Sequence, residues 1–111
     1  MLPRTQRLSG EQLNSVMEKG RATHSSFFWV KALKYAGKTR VAAIVSQKIV
    51  KKASGRVKMR RMIYNAVQPV LGSLENDHLV VVCAKEPSLS ADLSQIAKEI
   101  KVIFVKSGLL K

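Results

Sequence analysis

The residues of this chain with the most evident chemistry are positive charges, and they are concentrated in its middle. Thirteen of the twenty Lys and Arg residues fall between Lys19 and Leu74, where the sequence contains no Asp or Glu. Their densest run extends from Lys48 to Arg61. A folded domain gains no stability from charge of one sign, because like charges repel each other in the compact state. The pattern therefore predicts a polyanionic partner.

The spacing of these charges indicates which polyanion would fit. At about 100° per residue, four of them occupy roughly half of the circumference of a predicted helix. Guanidinium and ammonium groups in this arrangement suit the phosphates of a folded RNA laid against the helix. A solvated helix face, which is the alternative, usually mixes both signs of charge. The positions are Arg56, Lys58, Arg60 and Arg61 on the helix, with Lys51 and Lys52 before its start.

A second feature with recognisable chemistry is the chain's only tryptophan, Trp29, two residues before Lys31. On a β-strand, residues two apart point to the same face. An indole can stack on the base of a single-stranded nucleotide, while a neighbouring ammonium group attracts the phosphate of that nucleotide. The alternation of side chains is equally compatible with Trp29 in the hydrophobic core, and both interpretations stay open.

The sequence lacks the side-chain groups that hydrolysis by a protein alone requires. Such chemistry needs a nucleophile beside a base, a pair of carboxylates or a metal cluster. His24 and His78 have no carboxylate or cysteine at ligand spacing, and Glu75 and Asp77 have the pattern of a solvated loop. We therefore predict no catalytic side chain and no metal site on this chain.

Length and composition place these residues in a single domain spanning residues 1–111. The hydrophobic fraction of 46% is typical of a globular protein, and the net charge of +13 favours nucleic acid as the partner. No apolar run approaches the roughly eighteen residues that a membrane span needs. Cys83 lies in an apolar run without a partner cysteine, which predicts a buried thiol in the reducing cytoplasm.

The elements that must position the charges begin with a short helix. Ser9 can cap it, with Gln12 completing a capping box, and Gly20 is expected to stop it in a left-handed conformation. Two strands, Ser26–Leu33 and Arg40–Ser46, are then predicted to pair as a hairpin. A further short strand before them, over residues 21–24, is also considered.

From Ala53 the hydrophobic period becomes helical, and Pro69 is expected to end or kink this helix. The nearly all-apolar run His78–Ala84 predicts a strand covered on both faces. Ser90 is expected to cap a last helix that runs through Ser107, with Gly108 as its stop. The order helix, two or three strands, helix, strand, helix predicts an α+β two-layer sandwich.

The run from Val45 to Arg61 resembles the signature of the bacterial ribonuclease P protein subunit. That signature reads roughly Val-Ser-Lys-Lys, then a short spacer, then Ala-Val-x-Arg-Asn-Arg-x-Lys-Arg. The start of the chain, with Arg7 before Leu8 and with the spacing of Leu13 to Gly20, is similar to the opening of the same family. The order of the last strand and helix also agrees, so the resemblance covers essentially the whole chain.

The resemblance implies roles for the matched positions. Arg56 corresponds to the first arginine of the motif, Lys58 to the second, and Lys48 to the second lysine of the Val-Ser-Lys-Lys element. In the family this helix binds the catalytic RNA, and a cleft formed by the first helix and the hairpin holds the 5′ leader of precursor tRNA. The predicted RNA-binding residues are Arg7, Lys48, Lys51, Lys52, Arg56, Lys58, Arg60 and Arg61, and the predicted cleft residues are Leu13, Trp29 and Lys31.

The same resemblance implies an α–β sandwich of the ribosomal-protein type, in the order α-β-β-β-α-β-α, with a left-handed crossover. It also implies that the partner RNA holds Mg²⁺ and carries out phosphodiester hydrolysis. One protein per RNA would then add positive charge and leader binding, and would be inactive alone. The chain departs from the motif by carrying Leu13, Gln47, Ser54, Val57 and Tyr64-Asn65 where the family has other residues.

Two other functions fit parts of the pattern. A structural RNA-binding protein of the ribosomal type shares the basicity and the fold class, but would not depend on a tRNA leader. A peripheral membrane protein could use a polybasic segment on anionic lipid. That function would need an exposed apolar face beside the charge, whereas the apolar stripe of the basic helix is needed for the core.

Overall fold

The computed structural model describes residues 8–110 of the chain. That part contains three α-helices and four β-strands in the predicted order of elements, together with one short 3-10 helix, Glu86–Ser90. In chain order the elements are α1 (Gly10–Lys19), β1 (Arg21–His24), β2 (Phe28–Lys34), β3 (Arg40–Ile44), α2 (Ala53–Leu71), β4 (His78–Ala84) and α3 (Leu93–Lys106).

The four strands form one sheet in the order β1-β2-β4-β3. The short strand β1 pairs with β2 as considered from the sequence, but the predicted hairpin between β2 and β3 is wrong. Instead β4 lies between them, antiparallel to β2 and parallel to β3. The reason is that β4 is buried from Leu79 to Ala84, and a strand that apolar is stable only in the middle of a sheet with both faces covered.

Each face of the sheet has its own hydrophobic cluster, because side chains alternate between the faces. Helices α2 and α3 cover one face, where Phe28, Val30 and Val82 join the larger cluster. Helix α1 covers the other face and contacts β2 and β4. There Val16 packs against Leu79, Val81 and Cys83. The basic helix therefore lies on one side of the sheet and α1 on the opposite side.

The parallel pair β3 and β4 is joined through α2, which makes this connection the crossover that the family resemblance implies. The left-handed sense of the crossover stays a prediction. The α+β class and the order α-β-β-β-α-β-α are confirmed.

The ends of the helices agree with the sequence only in part. Ser9 and Gln12 form the predicted capping box of α1. Gly20 does not adopt the predicted left-handed conformation, since its φ is −68°. A Cβ atom at Gly20 would lie 2.4 Å from the carbonyl oxygen of Val16, so glycine is required there by close approach and not by an unusual backbone angle.

The last two helices differ from expectation in their boundaries. Helix α3 starts after Asp92, which forms a capping box with Gln95, and not after Ser90, which belongs to the 3-10 helix. It ends at Lys106, and Gly108 has the expected positive φ of 83°. Helix α2 continues past Pro69 and ends two residues later, at Leu71, so the proline lies in its last turn.

Tyr64 connects α2 to the free edge of the sheet. Its side chain is 8% exposed, and its hydroxyl oxygen accepts a hydrogen bond of 3.0 Å from the backbone N–H of Ala43. Since β3 is an edge strand with β4 on one side only, an N–H on its outer side has no strand to bond. The residue that departs from the family motif at position 64 therefore satisfies a buried backbone donor.

We expect Tyr64→Phe to lower the free energy of unfolding by about 1–3 kcal/mol, because the Ala43 N–H loses its partner inside the core. Urea denaturation followed by circular dichroism measures this change. Tyr35→Phe is the matched control, since Tyr35 is 50% exposed. Equal and small effects of the two substitutions would show that the Tyr64 hydroxyl contributes nothing.

Candidate nucleic-acid interface

Five positively charged side chains are exposed around the start of α2. Three come from the loop between β3 and α2, and two from the outer side of the helix. No carboxylate of the described chain falls within this stretch, because the sequence has none between Lys19 and Leu74. We refer to this set as the basic surface, which consists of Lys48, Lys51, Lys52, Lys58 and Arg61.

The start of α2 adds to this positive potential. Lys52 occupies the N-cap position, and no side chain accepts a hydrogen bond there. The first turn also lacks an acidic residue. The N-terminus of α2 therefore carries the partial positive charge of its free backbone N–H groups and of the helix dipole. This charge has the same sign as that of the surrounding lysines.

Arg56 makes contacts within the protein that no exposed cation of the basic surface makes. It is partly buried, and its Nη1 donates hydrogen bonds to the backbone carbonyls of Val50, at 3.0 Å, and of Lys51, at 2.8 Å. At the neighbouring position, a Cβ atom on Gly55 would lie 2.8 Å from the Cγ1 of Val50. The first turn of α2 and the lysine-bearing loop are therefore in direct contact, and Arg56 holds that loop in place.

The cleft residues predicted from the sequence lie on the opposite face of the sheet. Leu13 and Trp29 are both partly buried and pack against the cluster under α1. The indole of Trp29 stacks on the ring of His24, with 6.2 Å between centroids and 24° between planes. Trp29 is thus neither fully buried nor fully exposed, since one part packs on the core and another part is accessible.

Lys31 is tied to α1 as well as to Trp29. Its Nζ donates a 2.6 Å hydrogen bond to the carbonyl of Met17 and lies 5.6 Å from the centroid of the Trp29 ring. A cation at the C-terminal end of a helix is favourable for the helix dipole. The ammonium group therefore stabilises the junction of α1 and β2 and retains further donors for a ligand.

The loop before β2 is held by two lysines from elsewhere in the chain. Lys85 donates to the carbonyl of Ser25 at 2.7 Å, and Lys106 donates to the carbonyl of His24 at 2.8 Å. Neither lysine was predicted to take part in the site. Their contacts join residues far apart in sequence, which no local pattern could indicate.

Arg40 lies on the same face of the sheet as the predicted cleft residues, and sequence reasoning missed it. Arg40, Ala42 and Ile44 occupy alternate positions of β3, so their side chains share the face that α1 covers. The Nη1 of Arg40 lies 3.5 Å from the Oε1 of Gln12. The alternation of side chains along Arg40–Ile44 could have indicated this position. Val41 and Ala43 point to the opposite face and are buried in the larger cluster. Arg40 brings a positive charge to the β3 side of α1.

Strand register places the cleft and the basic surface at the same end of the sheet. Trp29 and Ile44 are both paired with Cys83, one on each side of β4. Two strand spacings separate them, which is about 10 Å. The chain leaves β3 directly after Ile44 and continues into the loop that carries Lys48. A nucleic-acid strand lying across Trp29 would therefore approach the basic surface.

The remaining acidic, histidine and cysteine side chains of residues 8–110 are dispersed. In the described part of the chain, no three His, Cys, Asp or Glu side chains are grouped to hold a metal ion. Burial raises the pKa of the Cys83 thiol to about 12, and Lys31 opposes this only partly. The thiol is therefore neutral at physiological pH, where a nucleophile would have to be ionised.

Of the predicted RNA-binding residues, the structure brings Lys48, Lys51, Lys52, Lys58 and Arg61 together on the surface. Arg60 is partly buried at the border of that surface. Arg7 lies outside the described residues. Within residues 8–110, no helix is long and apolar enough to cross a membrane.

We expect Arg56→Gln to loosen the loop in the free protein, because it removes two hydrogen bonds to the carbonyls of residues 50 and 51. Amide hydrogen exchange over residues 46–52 should become faster, with about 1 kcal/mol lost from the local opening free energy. Arg61→Gln removes the same charge from an exposed position and is the control. Identical exchange in both variants and the wild type would mean that Arg56 does not hold the loop.

Comparisons with known proteins give the family of the chain. The family model described as Ribonuclease P matches residues 2–108 of the chain. A comparison with curated protein sequences gives no significant match.

Among solved structures, the ribonuclease P protein of Staphylococcus aureus is similar, with a TM-score of 0.80 and 17% identity over 96% of this chain and 98% of that chain. The ribonuclease P protein of Thermotoga maritima gives a TM-score of 0.76 at 17% identity, over 87% of this chain and 94% of that chain. At this identity the likeness concerns the fold. Because the family model covers nearly the whole sequence and the fold agrees, the chain belongs to the Ribonuclease P family.

Proposed function

We propose that the chain binds the catalytic RNA of ribonuclease P through the basic surface and holds the 5′ leader of precursor tRNA in the cleft. The observation that carries the proposal is the basic surface itself. It has five exposed cations on a chain of this family. Binding to phosphates releases condensed counterions from the RNA, and this release is the main source of affinity for such a surface.

In this proposal the RNA performs the hydrolysis and the protein alone is inactive. The Mg²⁺ ions would be held by phosphate oxygens of the RNA, which are the hard ligands that this ion prefers. We propose that the protein reduces the repulsion between the two RNA molecules, so that the complex needs less Mg²⁺ than the RNA alone. It would act as one protein per RNA, in the cytoplasm, where reducing conditions suit the free thiol of Cys83.

The path of the leader follows from the position of Trp29 relative to the basic surface. An unpaired base would stack on the accessible part of the indole, next to the ammonium group of Lys31. Arg40, on the β3 side of α1, would attract a phosphate further along the cleft. The leader would then leave the cleft at the end of the sheet where the lysine-bearing loop begins.

We expect the purified protein to leave precursor tRNA uncleaved, and to raise cleavage by a bacterial ribonuclease P RNA when Mg²⁺ is limiting. The reason is that the protein supplies positive charge but no nucleophile–base pair. Initial rates measured over a Mg²⁺ series, with and without protein, test this directly. A protein that binds the RNA without changing these rates would be a structural RNA-binding protein of the ribosomal type.

We expect Trp29→Ala to weaken binding of precursor tRNA to the protein–RNA complex by about 1–3 kcal/mol, the usual contribution of one stacked base. Mature tRNA, which has no leader, should bind unchanged. Tyr35→Ala is the control, because Tyr35 is exposed beyond the other end of β2. The measurement is the ratio of the two affinities for each variant, with circular dichroism to check folding. Equal weakening for both tRNAs would remove Trp29 from the leader site.

A further inference from the structure

A groove runs along the inner border of the basic surface. Its cavity volume is about 440 Å³, within the range of small-ligand sites. One wall is a helical stripe of α2, the second is the loop after β3, and the third is the connection between β4 and α3. Lys58, a member of the basic surface, stands at its rim. The apolar lining consists of Ile49, Val50, Met59, Met62, Leu89 and Ala91.

We propose that this groove receives one unstacked nucleobase of the RNA that binds the basic surface. The inference rests on the proposed function, and it adds a base contact to a surface that otherwise meets only phosphates. A nucleotide within an RNA strand combines a base with flat, largely apolar faces and a phosphate on each side of its sugar. It therefore fits a site in which an apolar floor is continuous with a positively charged rim.

The chemistry of the lining favours a base over an apolar peptide or a lipid chain. The cations at the rim are not balanced by acids of α2 or its preceding loop, since the sequence has none there. The third wall carries two acids, Glu86 and Asp92, and the side chain of Asp92 caps α3 by accepting the N–H of Gln95 at 2.8 Å. The two methionines can adjust to a flat ring, because their side chains are unbranched and polarizable.

The groove is formed before RNA arrives. Val50, in one wall, is held by the hydrogen bond from Arg56 to its carbonyl. Met59 is buried, so the floor is part of the protein core. Leu89, in the opposite wall, is 39% exposed, so this wall is accessible to a ligand. A preformed apolar site loses little conformational entropy when a ligand enters it.

The test separates an apolar contact from a phosphate contact by the salt dependence of binding. Leu89→Ala removes one wall, Ala91→Leu fills the groove, and Lys58→Gln removes a charge at the rim. Leu93→Ala is the matched control, because Leu93 is 48% exposed but does not line the groove. Each variant is titrated with a bacterial ribonuclease P RNA at several salt concentrations, after circular dichroism confirms its fold.

We expect Leu89→Ala and Ala91→Leu to weaken binding about five- to tenfold at every salt concentration, near the lower end of what one stacked base contributes. The slope of log affinity against log salt should stay unchanged in both. Lys58→Gln should instead reduce that slope by about 1, and Leu93→Ala should change nothing. If Ala91→Leu does not fold, the comparison of the RNA affinities of Leu89→Ala and Leu93→Ala decides the outcome.

Three results would overturn the inference, and they are distinguishable. Wild-type affinity for both groove variants, with a reduced slope for Lys58→Gln, would mean that the basic surface binds RNA and the groove is empty. Failure of the wild-type protein to bind the RNA would remove the proposed function as well. A wild-type dimer that Leu89→Ala converts to a monomer, measured by sedimentation, would make the groove a contact between two copies of the chain.

Discussion

Four positively charged side chains of this protein donate hydrogen bonds to backbone carbonyl groups. This hydrogen bonding is the interaction on which the arrangement of both candidate sites depends. An arginine fixes the loop of the basic surface, one lysine joins α1 to β2, and two more fix the turn before β2. Carbonyl acceptors leave the formal charge of the cation intact, so the protein is ordered without losing its positive potential. The donors are Lys31, Arg56, Lys85 and Lys106.

The central position of β4 determines how the two sites relate to each other. Because β4 separates β2 from β3, the strand bearing Trp29 and the strand leading to the lysines lie on either side of it. The register then aligns Trp29 and Ile44 in one row across the sheet. With the predicted hairpin, β2 and β3 would be direct neighbours. In the structure, β4 lies between them, and α1 packs across β2 and β4.

Local patterns predicted the helices, the buried strand and the basic face of α2, because burial and charge follow periods that a single segment reveals. The strand order could not be predicted in this way, since it depends on competition among strands for the central position. The contact of Arg56 with the carbonyls of residues 50 and 51 was also hidden, because charge alone does not distinguish a cation that binds RNA from one that orders a loop. At position 64, only the structure explains why a tyrosine replaces the residue of the family motif.

The partial exposure of Trp29 also gives the protein an optical property. It is the only tryptophan in the chain, and its indole ring lies between an imidazole and an ammonium group. Indole emission shifts with the polarity of its surroundings and is quenched by neighbouring charges and rings. The intrinsic fluorescence of the protein therefore comes mainly from the α1 side of the sheet. Binding of a ligand beside Trp29 can be followed in real time without attaching a dye to the protein or to the ligand.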